Sequence, residues 1–203
     1  QIMGRALQGL EIPYTVLDIN ADHVDFVRRY GNKVYYGDAT RLDLLDAAGA
    51  RHAQVLVVAV GDPDISMRII HRASKRFPHL KIYARARDRH HAQLLMRAKV
   101  GFILRELLPA SLEMTREVLI GLGVPRDQAQ HTIDTFRPHD EETLRRQLEV
   151  FGNEKKQMQT VRQAAKELET LFEADEDILT RVEEIPRRQA SDGDDTKRSA
   201  NES

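Results

Sequence analysis

Up to about residue 106 the chain alternates short, β-branched apolar runs with longer stretches whose apolar positions recur every three or four residues. The runs YTVLD (14–18), KVYYG (33–37), QVLVVAV (54–60), KIYAR (81–85) and GFILR (101–105) predict strands, and the stretches near 21–30, 41–49, 63–77 and 88–98 predict helices. Strands separated by helices of this length require crossover connections, and hence a parallel sheet. A strand covered on both faces reads as an unbroken apolar run, and QVLVVAV does. The expectation is an α/β fold, a Rossmann-like doubly wound parallel sheet. One further helix, QIMGRALQGLE, stands before the first strand. In a nucleotide-binding unit a strand and a glycine-rich phosphate loop precede that helix, so the pattern fits either the back half of such a unit or another arrangement.

Boundary residues agree with these segments. Asn20 or Asp22 can cap the helix carrying Val24 and Val27, Thr40 the helix carrying Leu42, Leu44 and Leu45, and Asp62-Pro63 places a cap before a first-turn proline. Gly31, Gly49 and Gly101 follow helical stretches, where a left-handed residue commonly closes the helix. Beyond 106 the strand pattern stops. Residues 107–121 read as an amphipathic helix ended at GLGVP, RDQAQHTIDTF as another that Pro138 breaks, and ETLRRQLEVF and 155–179 as two more, separated by Gly152-Asn153. Leu144, Leu148 and Phe151 share one helical face, and Val161, Ala165, Leu168 and Phe172 another. The polar tail after Pro186 lacks large apolar residues and predicts disorder. The expected divisions are an α/β domain over 1–106, helices over 107–150, an amphipathic extension over 151–185 and a tail over 186–203.

Composition narrows the function classes. With 31 basic and 32 acidic side chains the formal net charge is −1, which argues against a general nucleic-acid binder. The absence of cysteine removes disulfides, thiolate metal sites and a cysteine nucleophile. The longest aliphatic run, VLVVAV, falls far short of the roughly 20 apolar residues of a spanning helix.

The candidate chemistry lies where strands end, because ligands of open parallel sheets collect outside the carboxyl ends of the strands. Asp18 closes the first strand, where an acid accepts from ribose hydroxyls or caps the next helix. YGDAT (36–40) follows the second strand at the same edge. There Asp38 can accept from an adenine amino group or orient a backbone amide, or the turn is an ordinary one capped by Asp38 or Thr40. AVGDPD (59–64) is the third edge turn, where Gly61 admits a close ligand or simply precedes a helix start. In YARARD, alternation puts Arg85 and Arg87 on one side, ready to meet anions or to form a salt-bridge network with Asp88. His90 and His91 point about 100° apart on a helix and suit a single metal poorly. No acid/base couple or nucleophile elbow accompanies the sheet, so the chain is not read as an enzyme.

The blocks VLDINADHVDFVRRYG, KVYYGDATRLDLLDAAGA and FPHLKIYARARD, in this order, resemble the RCK (KTN) domain of Kef-type potassium-efflux antiporters, in the monovalent cation:proton antiporter-2 family. The resemblance spans roughly residues 1–150. It implies a TrkA-N-like regulatory domain rather than an enzyme, whose glycine loop and transmembrane antiporter domain precede Gln1, at the cytoplasmic face of the bacterial inner membrane. It implies NAD(H) or AMP as regulatory nucleotide, with Asp18 and Asp38 facing the adenosine half and Ala39, Thr40 and Gly61 lining the pocket. It implies a homodimer whose helices after the last strand cross between subunits, and an ancillary flavoprotein quinone reductase as partner. Glutathione-gated members carry an Arg at the position of Arg105 and an Asn at the position of Asp140. The acid at 140 works against glutathione, whose own carboxylates it repels.

Three other functions fit the same elements. A TrkA-like peripheral subunit of a potassium uptake system uses the same nucleotide domain without a covalent membrane segment. A soluble NAD-dependent oxidoreductase requires an acid/base residue beyond the sheet. A purely structural dimerisation module requires no ligand at all.

Overall fold

The computed structural model describes residues 2–28 and 34–173. The expected disorder after Pro186, the end of the 155–179 helix and the cap at Gly31 lie outside the described residues. The chain forms two compact units, 1–111 and 112–203.

In the first unit, helix α1 (Ile2–Gly9) is followed by β1 (Val16–Asp18), α2 (Ala21–Arg28), β2 (Val34–Tyr36), α3 (Leu42–Ala47), β3 (Val55–Val58), α4 (Pro63–Arg76), β4 (Lys81–Ala86), α5 (Arg89–Arg97) and β5 (Phe102–Arg105). Every expected strand is present and parallel, though most are shorter than their apolar runs. They form a two-stranded ribbon, β1-β2, and a three-stranded sheet, β3-β4-β5. Register pairs Asp18 with Tyr36, Val57 with Tyr83 and Tyr83 with Phe102.

The core lies on one face of the three-stranded sheet. Val58, Ile82, Ala84 and Ala86 are buried there beneath Ile69, Ile70 and Ala73 of α4 and Ala92 and Leu95 of α5, with Phe77 closing the end. The opposite face departs from the expected two-sided cover. Val55, Val57, Tyr83, Phe102 and Leu104 are exposed, and the Tyr83 and Phe102 rings lie 5.6 Å apart across it. Both helices that follow strands of this sheet and pack on it do so from the same side, so an apolar run on β3 is covered on one face only.

Local chemistry explains most helix ends. Asp62 caps α4, its carboxylate accepting from Ile65 N–H at 2.9 Å with Pro63 in the first turn, and Asp88 caps α5 through His91 N–H at 2.8 Å. Asn20 caps α2, accepting from His23 N–H at 3.0 Å. Two expectations are corrected. Thr40 does not cap α3: Arg41 stands at that position with no side-chain cap. After α5 the left-handed residue is Lys99 (φ 54°) rather than Gly101, whose missing Cβ instead lets the chain pass 3.3 Å from the Ile82 carbonyl.

The remaining helices are α6 (Leu108–Gly121), α7 (Arg126–Glu149) and α8 (Glu154–Glu173). Pro138 does not break the helix it sits in; α7 runs through it, joining two segments expected to be separate. An interior proline costs roughly 3 kcal/mol. The buried residues Ala129, Ile133, Leu144 and Gln147 lie on both sides of it, so burial along the whole of α7 outweighs the missing hydrogen bond. Helices α7 and α8 form a hairpin around Gly152 (φ 86°), with Asn153 capping α8 through Lys156 N–H at 3.1 Å.

Candidate functional site

The parallel pairing of β1 with β2 sets two acid-bearing turns side by side. Strand β1 ends at Asp18, and the Asp18 carbonyl accepts from Gly37 N–H at 2.9 Å, so the YGDAT turn begins where Asp18 stops. Gly37 packs closely there: a Cβ would meet the Leu44 Cδ1 at 3.1 Å, so that side chain would have to give by a few tenths of an ångström.

The Asp18 carboxylate is half-buried, with 26% of its side chain exposed. It accepts from Asn20 N–H at 2.9 Å, and its other oxygen lies 2.5 Å from His23 Nδ1. Burial pushes its pKa up, but the Asn20 hydrogen bond and the His23 ring outweigh that and hold the carboxyl below its usual value. A carboxylate has about four lone-pair sites, so these bonds leave capacity for ribose hydroxyls. His23 was not anticipated; its spacing of five from Asp18, on the first turn of the following helix, is the signal that could have found it.

Asp38 closes its own turn. It accepts from Thr40 N–H and from the Thr40 hydroxyl, each at 2.8 Å, and these bonds, the backbone one foremost, hold its carboxyl below the usual value. Thr40 is thus a donor to Asp38, and Ala39 lies half-buried between them. Arg72 of α4 donates to the Thr40 carbonyl at 2.9 Å, and the positive charges of Arg68 and Arg41 lie close enough to favour the ionised Asp38. Two arginines from the helix after β3 therefore reach the turn after β2, a link that no sequence motif announces.

The third turn is held from β4. Arg85 donates to the Ala59 carbonyl at 2.7 Å and Arg87 to the Gly61 carbonyl at 3.4 Å. Arg85 also pairs with Glu106 at 3.0 Å. The shared side expected from the alternation is real, but Asp88 is not the partner: its carboxylate caps α5. Gly61 is exposed, with nothing within 4 Å of where a Cβ would stand, so the backbone there is open to a ligand.

Behind this edge His91 is fully buried. Its Nδ1 accepts from Arg87 N–H at 3.2 Å, and burial lowers its pKa. No group of three or more metal-ligating side chains occurs among the described residues. Arg105 ends β5 half-buried, and the next residue, Glu106, pairs with Arg85. Asp140 lies half-buried on α7, in the other unit. The five residues expected on the adenosine side thus stand at or after the ends of β1, β2 and β3 in one unit, while Arg105 and Asp140 belong to different units. No described helix is long and apolar enough to cross a membrane.

Comparison with known proteins gives this edge its context. Residues 1–106 match the TrkA-N domain family and residues 110–192 the potassium efflux system KefB C-terminal domain family. A solved structure of the Kef C-terminal domain of Shewanella denitrificans, in AMP-bound form, is 38% identical, covers 75% of this chain and 92% of its own, and superposes with a TM-score of 0.68. The TrkA-N domain of the inner membrane protein ybaL of Escherichia coli is 19% identical, covers 56% of this chain and 84% of its own with a TM-score of 0.52, and shares the fold. The chain belongs to the TrkA-N family and is an RCK/KTN regulatory domain of a Kef-type potassium-efflux antiporter.

Proposed function

We propose that this chain senses an adenine nucleotide and, as a pair of copies, gates an attached potassium:proton antiporter from the cytoplasmic face of the inner membrane. The observation that carries the reading is the junction of the Asp18 and Asp38 turns, fixed by the Gly37 N–H bond to the Asp18 carbonyl. Asp18 accepts from the ribose hydroxyls, Asp38 orients the Ala39–Thr40 backbone against the adenine, and Gly61 lets the ligand approach the β3 end. The AMP-bound state of the Shewanella denitrificans relative supports AMP, and NAD(H) offers the same adenosine half.

Pairing has its own support. The face of the three-stranded sheet bearing Val57, Tyr83, Phe102 and Leu104 is exposed, and so are Leu107, Met114, Val118 and Leu122 along α6. Exchange of 107–150 between two copies covers apolar surface of both kinds. Arg105 and Asp140 stand as the effector-facing pair, the acid disfavouring glutathione, and the 151–185 extension as a surface for assembly or for a flavoprotein partner. A ligand that binds one arrangement of the pair better shifts the transporter by that difference, and the transporter's state must then alter ligand affinity.

The test is calorimetric titration of the chain with AMP, NADH and glutathione, alongside Asp38→Ala. Saturable AMP binding that is lost in the variant supports the site. A folded protein that binds neither nucleotide overturns it.

A further inference from the structure

Helix α8 leaves the first half of its apolar stripe, Met158, Val161 and Ala165, exposed, while Leu168 and Phe172 are half-buried. Ala164 is buried, Glu167 is gripped by both Nη groups of Arg146 on α7 at 3.2 and 2.8 Å, and Gln157 and Thr160 lie half-buried on the same side. His139 of α7 stands 3.7 Å from the same Glu167 carboxylate. At about 100° per residue, the stripe Met158, Val161, Ala165, Leu168 and Phe172 is centred about 100° around the helix from that side. Met158 and Val161 are 58% and 48% exposed, and Ala165 is exposed as well. The Arg146–Glu167 clamp fixes the rotation of α8, so the stripe cannot roll onto α7 without breaking it.

The stripe advances by three, four, three and four residues, the spacing of a coiled-coil seam. Its outer flank carries Arg162 and Glu169. Seven residues apart, they are separated by about 10 Å along the helix and cannot pair with each other. Neither has an ion-pair partner among the described residues. In a parallel pair of α8 helices this flank faces Gln157, Ala164 and Leu171, and both charges stay unmatched. In an antiparallel pair it faces itself. A two-fold axis beside Ala165 then sets Arg162 of each copy against the partner's Glu169, twice over, and stacks the two apolar stripes. Ala165, with no side chain beyond Cβ, permits close approach at the crossing.

We propose that α8 is an antiparallel contact between two copies of this chain, sealed by the Met158–Phe172 stripe and set in register by reciprocal Arg162–Glu169 pairs. It does not depend on the nucleotide site.

The chain has no cysteine, so one introduced thiol reports the contact directly. Under mild oxidation of the full chain, Ala165→Cys forms a disulfide-linked dimer, while Gln159→Cys, on the far side of α8, stays monomeric on the same gel. Arg162→Glu in the Ala165→Cys background abolishes the cross-link, and adding Glu169→Arg restores it. The proposal is overturned if Ala165→Cys links no better than Gln159→Cys, the result expected where copies pair only through α6 or where another segment or protein covers the stripe. It is equally overturned if linking ignores the charge reversals.

Discussion

The two sheets of the first unit are built from the same kind of parallel pairing, yet they are held in opposite ways. Around β3-β4-β5, Ile69, Ile70, Ala73, Ala84, Ala86, Ala92 and Leu95 are all buried, and the turn after β3 is fastened by Arg85 and Arg87 from elsewhere in the chain. Around β1-β2, Val24 and Val34 are buried, but Tyr35 and Tyr36 are 50% and 65% exposed. The acids there are satisfied chiefly by their own turns: Asp18 by Asn20 and His23, Asp38 by Thr40. One half is made rigid by packing, and the other keeps its polar geometry through local hydrogen bonds. The lesson is about division of labour. A carboxylate that must receive a ligand is better held by short-range bonds that leave lone pairs free than by burial, which raises its pKa and desolvates it.

The comparison can be broken most severely at Leu95. Removing this fully buried side chain as Leu95→Ala is expected to cost about 2–5 kcal/mol, read as a drop in the denaturant midpoint. Val24→Ala, which removes two buried methyl groups, is expected to cost about 1.5 kcal/mol. Its effect on amide exchange should concentrate in 16–18 and 34–36, leaving 82–86 protected. Equal deprotection of both sheets would mean that they open as one unit. Next in size is Asp62→Ala, expected to lower stability by about 1 kcal/mol through loss of the α4 cap, with the Asp38 turn unchanged except where Arg72 shifts.

The smallest effect is with pH. His91 is buried neutral, with a folded pKa below its ordinary 6.5. Above that value the group is neutral in both states and contributes no pH dependence. As pH falls below it, the unfolded chain takes up the proton first, so stability declines toward the lower folded value. His91→Gln should flatten this part of the stability profile. An unchanged slope between wild type and variant would locate the acid sensitivity elsewhere. Asp18 and Asp38 work in the same direction, since their lowered pKa values make stability fall as pH drops below the ordinary carboxylate value of 3.8.

Much of the first unit was legible along the chain. The five β-branched runs are the five strands, Asp62-Pro63 opens a helix, and Asp18, Asp38 and Gly61 stand at strand ends. These are short-range facts, decided by period, by capping chemistry and by the position of an acid after an apolar run. The misreadings share a different cause. Pro138 by its local chemistry breaks a helix, whereas burial along both halves of α7 overrides it. Asp88, three residues away, is the nearest acid to Arg85 along the chain, but Arg85 instead meets the Ala59 carbonyl and Glu106, just past the end of β5. Nothing in the chain signalled Arg72 at the Thr40 carbonyl, 32 residues away.

The sequence by itself determined which segments became strands and helices, that the strands run parallel, and which acids end them, because backbone propensity and hydrophobic period act over a few residues. Only the tertiary structure decided which face of the sheet is covered, which arginines hold which turn, and which side of α8 meets α7. Those outcomes rest on contacts between residues distant in the chain, where a carbonyl, a carboxylate and a guanidinium become partners only once packing has fixed the elements that carry them.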